Sequence, residues 1–324
     1  MGSGHCGENA KVVEIQVEVI SKDTIKPSSP TPHHLRNLKL SFLDQIQPPV
    51  LMPMVFFYPK ESNYSSSSTY KAADPVGVLK KSLSEVLTWY YPLSGRVFDN
   101  LYVDCSDQGV PFIEAHANCH LSEVVPDPVP CELNKLLPFK LEEVEDFAMG
   151  IQVTSFDCGG MALAVCTSHK LADAWSIFQF VGSWAKTAAL GGLDQETPLP
   201  KFKMAEFFPA INISGFQPTT GVIRNTSNIS IKRFVFSSSA INFLRNKYAK
   251  SLKADFSHRP TRAEALSTFI WSRFMATTQP KPTRKIYSVQ HAVNLRTRVN
   301  PPLSDNYFGN IIRLATTIPE VDIS

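Results

Sequence analysis

Residues 161–190 carry the pattern that most constrains this chain. Met161 to Thr167 is a near-continuous apolar run of strand length. It passes through Ser168-His169-Lys170-Leu171-Ala172-Asp173 straight into Ala174–Leu190, where Ile177, Phe178, Val181 and Trp184 recur at helical spacing. A buried strand opening into a helix is a building unit of α/β proteins, and such strand ends are where these folds place ligands. Gly191-Gly192 stops the helix. Just upstream, Ala148 to Asp157 reads as a second strand, joined to the first by Cys158-Gly159-Gly160, a sequence suited to a hairpin.

The remaining chain supports the same class. Lys11 to Ser21 alternates, with Val13, Ile15, Val17 and Val19 on one expected face. Leu51 to Tyr58 reads as a short buried strand, and Gly95 to Cys105 as another. Val78, Leu79, Leu83, Val86 and Leu87 predict an amphipathic helix within Pro75–Tyr90, closed by Pro92. Residues 191–228 are polar and Pro-rich and are the expected linker between a first domain, 1–190, and a second, 229–324. In that second part Ile229 to Phe236 predicts a strand and Ser237 to Lys253 a helix. Thr261 with Glu264 forms a capping box for a further helix, and Tyr287–Leu295 and Ile311–Thr317 predict two more strands.

The formal net charge of +3 over 324 residues is too small to imply a nucleic-acid partner. No stretch of 18 apolar residues predicts a membrane span, and no secretory h-region is visible. Six irregularly spaced Cys without a C-x-x-C pair are expected as free thiols in a reducing compartment, which points to the cytosol.

Few residue patterns point to chemistry. His169 alone among the eight His has an Asp four residues on, Asp173. A His at a strand end can act as general base, because its ordinary pKa lies near working pH. His116 and His120 flank Cys119 without convincing further metal ligands, so no metal is expected. The spacing Gly2-x-Gly4-x-x-Gly7 has no strand before it. Neither a G-x-S-x-G nor a Walker A sequence occurs. Arg296 and Arg298 alternate after Tyr287–Leu295, which on a strand places both on one face. Paired Arg can hold a carboxylate or a phosphate, but on the residues alone a solvated basic edge is the favoured reading. Lys232 and Arg233 form a similar pair.

Taken together these pieces resemble the plant BAHD acyltransferases, which move an acyl group from coenzyme A to an alcohol or amine. Three blocks carry the resemblance: Tyr90-Tyr91-Pro92-Leu93-Ser94-Gly95-Arg96, the H-x-x-x-D of His169 to Asp173, and the stretch Asn294 to Asn310 with Asn294-Leu295-Arg296-Thr297-Arg298 and Tyr307-Phe308-Gly309-Asn310. They lie in the family's order across nearly the whole chain. The resemblance implies an α/β fold of two chloramphenicol-acetyltransferase-like domains with mixed β-sheets flanked by helices and a channel between them. It implies His169 as general base without a covalent acyl-enzyme, and Asp173 as a structural residue paired with Arg296 or, second, Arg298. Lys232, Arg233 and Arg298 become candidates for the coenzyme A phosphates. Acetyl-CoA is the expected co-substrate, with hydroxycinnamoyl-CoA the alternative, and the acceptor a hydroxylated terpenoid or alkaloid. A monomer with no bound cofactor is expected. The family's D-F-G-W-G sequence does not occur in this chain, so the second domain is expected to be incomplete. The competing reading is an inactive, truncated member or a binding protein.

Overall fold

The computed structural model describes residues 14–60, 74–140, 147–192, 196–213, 232–250, 259–277 and 287–318. It divides into two compact units, one of residues 1–230 with 294–312 and one of 231–293 with 313–324. The segment 294–312 thus belongs to the first unit, whereas the sequence reading assigned everything after 228 to the second.

In the first unit the elements begin with β1 (Val17–Ile25), β2 (Asn37–Lys39), α1 (Phe42–Gln45), β3 (Leu51–Tyr58) and α2 (Pro75–Leu87). They continue with β4 (Arg96–Phe98), β5 (Tyr102–Asp104), β6 (Val110–Ala117), α3 (Leu121–Val124) and α4 (Pro130–Leu133). The last are β7 (Met149–Phe156), β8 (Met161–Ser168), α5 (Ala174–Leu190) and α6 (Met204–Phe207). A mixed sheet runs in the order β1-β6-β7-β8-β3, with β6 and β7 parallel and the other pairs antiparallel. A small sheet has the order β2-β5-β4.

The strand–turn–helix expected at residues 161–190 is present. β8 is buried along nearly its whole length, which is why it reads as a continuous apolar run rather than an alternating one; β7 is buried as well, and its Gln152 Nε2 donates to Thr154 Oγ1 at 3.1 Å. α5 begins where Asp173 accepts a hydrogen bond from Ser176 N at 2.8 Å, and it ends at Gly191, whose φ of 72° suits a residue without a Cβ. α2 starts at an Asp74 cap with Pro75 in the first turn. α2 and α5 pack together through Leu83, Val86, Leu87, Ile177, Phe180 and Trp184 over the large sheet. Each such buried side chain contributes roughly 1.5–3 kcal/mol. Trp184 Nε1 donates to Ser82 Oγ at 3.0 Å, so the indole is buried without an orphaned donor.

Several expectations are corrected. β1 starts at Val17 and holds a bulge between Val19 and Ser21, which shifts the alternation and leaves Val19 exposed. Val13 lies outside the described residues. Gly95–Cys105 is a hairpin rather than one strand, because the chain reverses at Asp99 and Asn100, both with positive φ. β6 has no counterpart in the sequence reading, since Pro111, Glu114 and His116 interrupt its apolar run.

The second unit contains α7 (Ser238–Ala249), α8 (Arg262–Thr277) and all but the end residues Asn294 and Ile312 of the paired strands β9 (Val289–Asn294) and β10 (Ile312–Thr317). The Thr261–Glu264 capping box is formed: Glu264 N donates to Thr261 Oγ1 at 3.2 Å and Thr261 N to Glu264 Oε2 at 2.7 Å. α7 packs on α8, with the Phe236 and Phe269 rings edge to face. The strand expected at Ile229–Phe236 is not formed over 232–236, and its first residues lie outside the described ones. No described helix is long and apolar enough to cross a membrane. Cys105, Cys119, Cys158 and Cys166 are free thiols, while Cys131 is disulfide-bonded, against the expectation of thiols throughout. Cys6 lies outside the described residues.

Candidate active site

The turn after β8 holds both residues of the H-x-x-x-D pattern, and each is fixed by the returning segment 294–312. Asp173 caps α5 and is almost fully buried. Its Oδ2 accepts from Arg296 Nη1 at 2.8 Å and from Ile311 N at 3.0 Å, and its Oδ1 from Arg296 Nη2 at 3.2 Å. Arg296 is fully buried, and every guanidinium nitrogen donates. Besides Asp173, Nε donates to Tyr307 O at 3.3 Å, Nη1 to Asn294 Oδ1 at 3.3 Å and Nη2 to Ser176 Oγ at 2.9 Å. The planar guanidinium matches the carboxylate through two parallel bonds.

Arg298 has a different environment. β9 ends at Asn294 and the chain turns, with Arg298 N donating to Leu295 O at 2.8 Å. The expected strand does not reach the two arginines, so they do not share a face: Arg296 is buried and Arg298 is exposed, donating to Asn294 O at 2.8 Å. Lys232 and Arg233 are exposed residues of the second unit that precede α7.

His169 is half-buried. Its N–H donates to Val50 O at 2.8 Å just before β3. Its ring Nδ1 lies 3.1 Å from Asn310 Oδ1, and Asn310 Nδ2 donates back to the His169 carbonyl at 2.8 Å. Burial holds the imidazole below its ordinary pKa, opposed by hydrogen bonds that include Asn310. No described residue bonds Nε2. Asn310 is itself buried, and its N and Nδ2 both donate to Asp44 Oδ1 at 2.9 Å. Asp44 belongs to the capping box of α1, in which Ser41 Oγ and Ser41 N donate to Oδ2 at 2.6 and 2.9 Å. Burial pushes the Asp44 carboxyl above its usual range, against the pull of these bonds. Lys170 Nζ donates to Gln45 O at 2.7 Å, and burial lowers its pKa to about 8. Gly309 carries a φ of 135°, and an added Cβ would lie 3.2 Å from Met204 Cγ. Glycine there lets Asn310 turn toward His169.

The structure brings His169, Asp173 and Arg296, all named from the sequence, into one neighbourhood. The sequence reading did not single out Ser176 or Asp44 and gave Asn310 no role. Ser41-x-x-Asp44 is a legible helix-start signature, but nothing in the linear chain joins it to residue 310, 266 positions away. His116 contacts Ser155 Oγ at 3.0 Å and Asp157 Oδ1 at 2.9 Å on the sheet surface, and no set of residues able to hold a metal occurs among the described residues.

A family model described as the Transferase family matches residues 15–321. The chain belongs to this family, the BAHD acyltransferases. It is 38% identical over 323 residues to akuammiline synthase 2 of Alstonia scholaris, covering 96% of this chain and 69% of that protein. To stemmadenine O-acetyltransferase of Catharanthus roseus it is 36% identical over 321 residues, covering 95% and 72%. The crystal structure of vinorine synthase matches the fold with a TM-score of 0.79 at 35% identity, over 95% of this chain and 73% of that one. The mixed α/β architecture is therefore that of the BAHD fold, and the protein is an acyl-CoA-dependent O-acyltransferase.

Proposed function

We propose that this BAHD enzyme transfers an acetyl group from acetyl-CoA to a hydroxyl of a bulky alkaloid or terpenoid, with His169 as general base. The observation that carries the reading is the His169 ring. It is half-buried at the end of β8, tied down through its main chain and Nδ1, and left with one ring nitrogen unbonded among the described residues. The acetyl donor is supported by relatives such as stemmadenine O-acetyltransferase and salutaridinol 7-O-acetyltransferase.

A thioester carbonyl is electrophilic, but an alcohol attacks poorly until its proton is removed. His169 takes that proton as the oxygen attacks, and the carbonyl oxygen gains charge in a tetrahedral intermediate. Collapse expels the coenzyme A thiolate, which receives the proton back from His169. Holding both substrates together supplies much of the rate, so no acyl-enzyme is required. A neutral imidazole is needed at the start, and burial favours it. Asp173 and Arg296 hold the turn and α5 in place. Lys232, Arg233 and Arg298 are exposed cations suited to the phosphates of coenzyme A. The reading places the protein in the cytosol as a monomer.

The test is product mass after incubation with mixed acyl-CoAs and a panel of hydroxylated alkaloids and terpenoids. Acetylated product from wild type and none from His169→Ala is expected. Equal transfer by the variant would end the assignment of the base, and hydroxycinnamoylated product would reassign the donor.

A further inference from the structure

The ends of β6 and β7 bring two thiols side by side. The strands are parallel, with Ala117 opposite Phe156, and the pairing runs on past them, where Asp157 N donates to Cys119 O at 3.2 Å. Two residues beyond each partner, Cys119 stands opposite Cys158. A step of two along a strand returns the side chain to the same face, and both cysteines pack in the small apolar cluster with Ala117 and Phe156. Neighbouring strands lie about 4.8 Å apart, and a disulfide needs Cα atoms roughly 4.4–6.8 Å apart. Both residues lie past the last strand positions, where the ladder no longer fixes the backbone.

The two thiols differ in chemistry. Cys158 is half-buried, and its Sγ accepts from Leu121 N at 3.4 Å. N–H donation from Leu121 and Gly160 holds this thiol below its ordinary pKa, against burial and the Asp157 carboxylate. Cys119 is buried, and burial, Glu123, Asp157 and Cys158 push its pKa up. Burial pushes Cys105 and Cys166 up to about 12. The free thiols of the described residues thus comprise one accessible thiol, one buried beside it and two sealed in the core.

We propose that Cys158 and Cys119 are a reversible redox pair, Cys158 attacking and Cys119 resolving, with a small-molecule disulfide such as oxidised glutathione as oxidant. The Cys158 thiolate attacks one sulfur of that disulfide, forming a mixed disulfide and expelling one glutathione thiolate, which takes up a proton. Cys119 then gives its proton to solvent and attacks Cys158 Sγ. The Cys119–Cys158 bond forms and the second glutathione leaves. Two protein thiols lose two electrons, and one glutathione disulfide becomes two glutathiones. Excess reduced glutathione drives the sequence back. The pair is remote from the His169 turn, since the 8 residues of β8 separate Cys158 from it, a span of roughly 25 Å.

The test treats the native 324-residue protein with oxidised glutathione, blocks the remaining thiols after denaturation and maps unreduced peptides by mass spectrometry. Its readout is the peptide map and is independent of acyl transfer. A Cys119–Cys158 bond is expected in wild type, with Cys105 and Cys166 recovered as thiols. Cys119→Ser is expected to stop at the glutathione adduct on Cys158, and Cys158→Ser to leave Cys119 unmodified. A wild-type adduct on Cys158 that never closes overturns the pairing. So does a new bond from Cys158 to Cys131, which is already disulfide-bonded. Cys158 left unreacted, or a folded Cys119→Ser protein without the adduct, overturns the assignment of the attacking thiol. Should Cys119→Ser fail to fold, the wild-type map alone decides.

Discussion

The turn between β8 and α5 carries two polar clusters that draw on the same returning segment, and they differ in completeness. Around Asp173 and Arg296 every guanidinium nitrogen and both carboxylate oxygens are bonded. Around His169, Asn310 and Asp44 the bonding is equally dense up to the imidazole, where Nε2 has no partner among the described residues. Saturation leaves a cluster nothing to do but hold the chain, because any new partner must first break an existing bond. One open atom on an otherwise fixed ring is what proton transfer needs: a rigid base with a lone pair to offer. The comparison separates two carboxylates, Asp44 and Asp173, that composition alone would treat alike.

The largest expected effect falls on the saturated cluster. Asp173→Ala leaves a buried guanidinium without its counter-charge and removes the α5 cap. It should cost about 3–5 kcal/mol, read as a shift of the urea midpoint. A variant melting with wild type would mean that the pair is not the clamp described. His169→Ala should separate function from structure in the opposite sense. Transfer is expected to fall by roughly 10²–10⁴ while the urea midpoint stays near wild type, and a comparable stability loss would erase the contrast.

Titration sharpens the comparison further. The folded pKa of His169 lies below its ordinary 6.5, so the native state binds fewer protons than the unfolded chain. Its contribution to stability is full above about 6.5 and is lost as pH falls through the folded value. The acid limb of kcat/KM should therefore lie below 6.5, and a limb above it would contradict the burial argument. Lys170, lowered to about 8 from 10.5, follows the same sign. Its share of stability is full above 10.5 and lost as pH falls toward 8. Wild type should gain melting temperature relative to Lys170→Met across that interval, and parallel curves would exclude the effect. Arg298→Ala is expected to be the mildest change, within about 0.5 kcal/mol, since the residue is exposed. Set beside Arg296→Ala, it tests whether two arginines two positions apart have opposite structural weight.

The parts of this protein legible in the sequence are those set by neighbours in the chain. The apolar run of β8, the Gly191 stop and the Thr261–Glu264 box all depend on contacts within a few residues, and the pattern records them. His169 and Asp173 could be singled out for the same reason, standing four apart at a strand end. The β1 bulge and the Asp99–Asn100 reversal were not legible, because one residue of register alters an alternating pattern without leaving a composition signal. The tertiary structure alone decided that Arg296 is buried and Arg298 exposed, and that Asp44 and Asn310 meet beside His169. Those choices depend on where the segment 294–312 returns to the first unit. A carboxylate and an amide 266 residues apart share no periodicity, and what joins them is the requirement that buried donors and acceptors find one another.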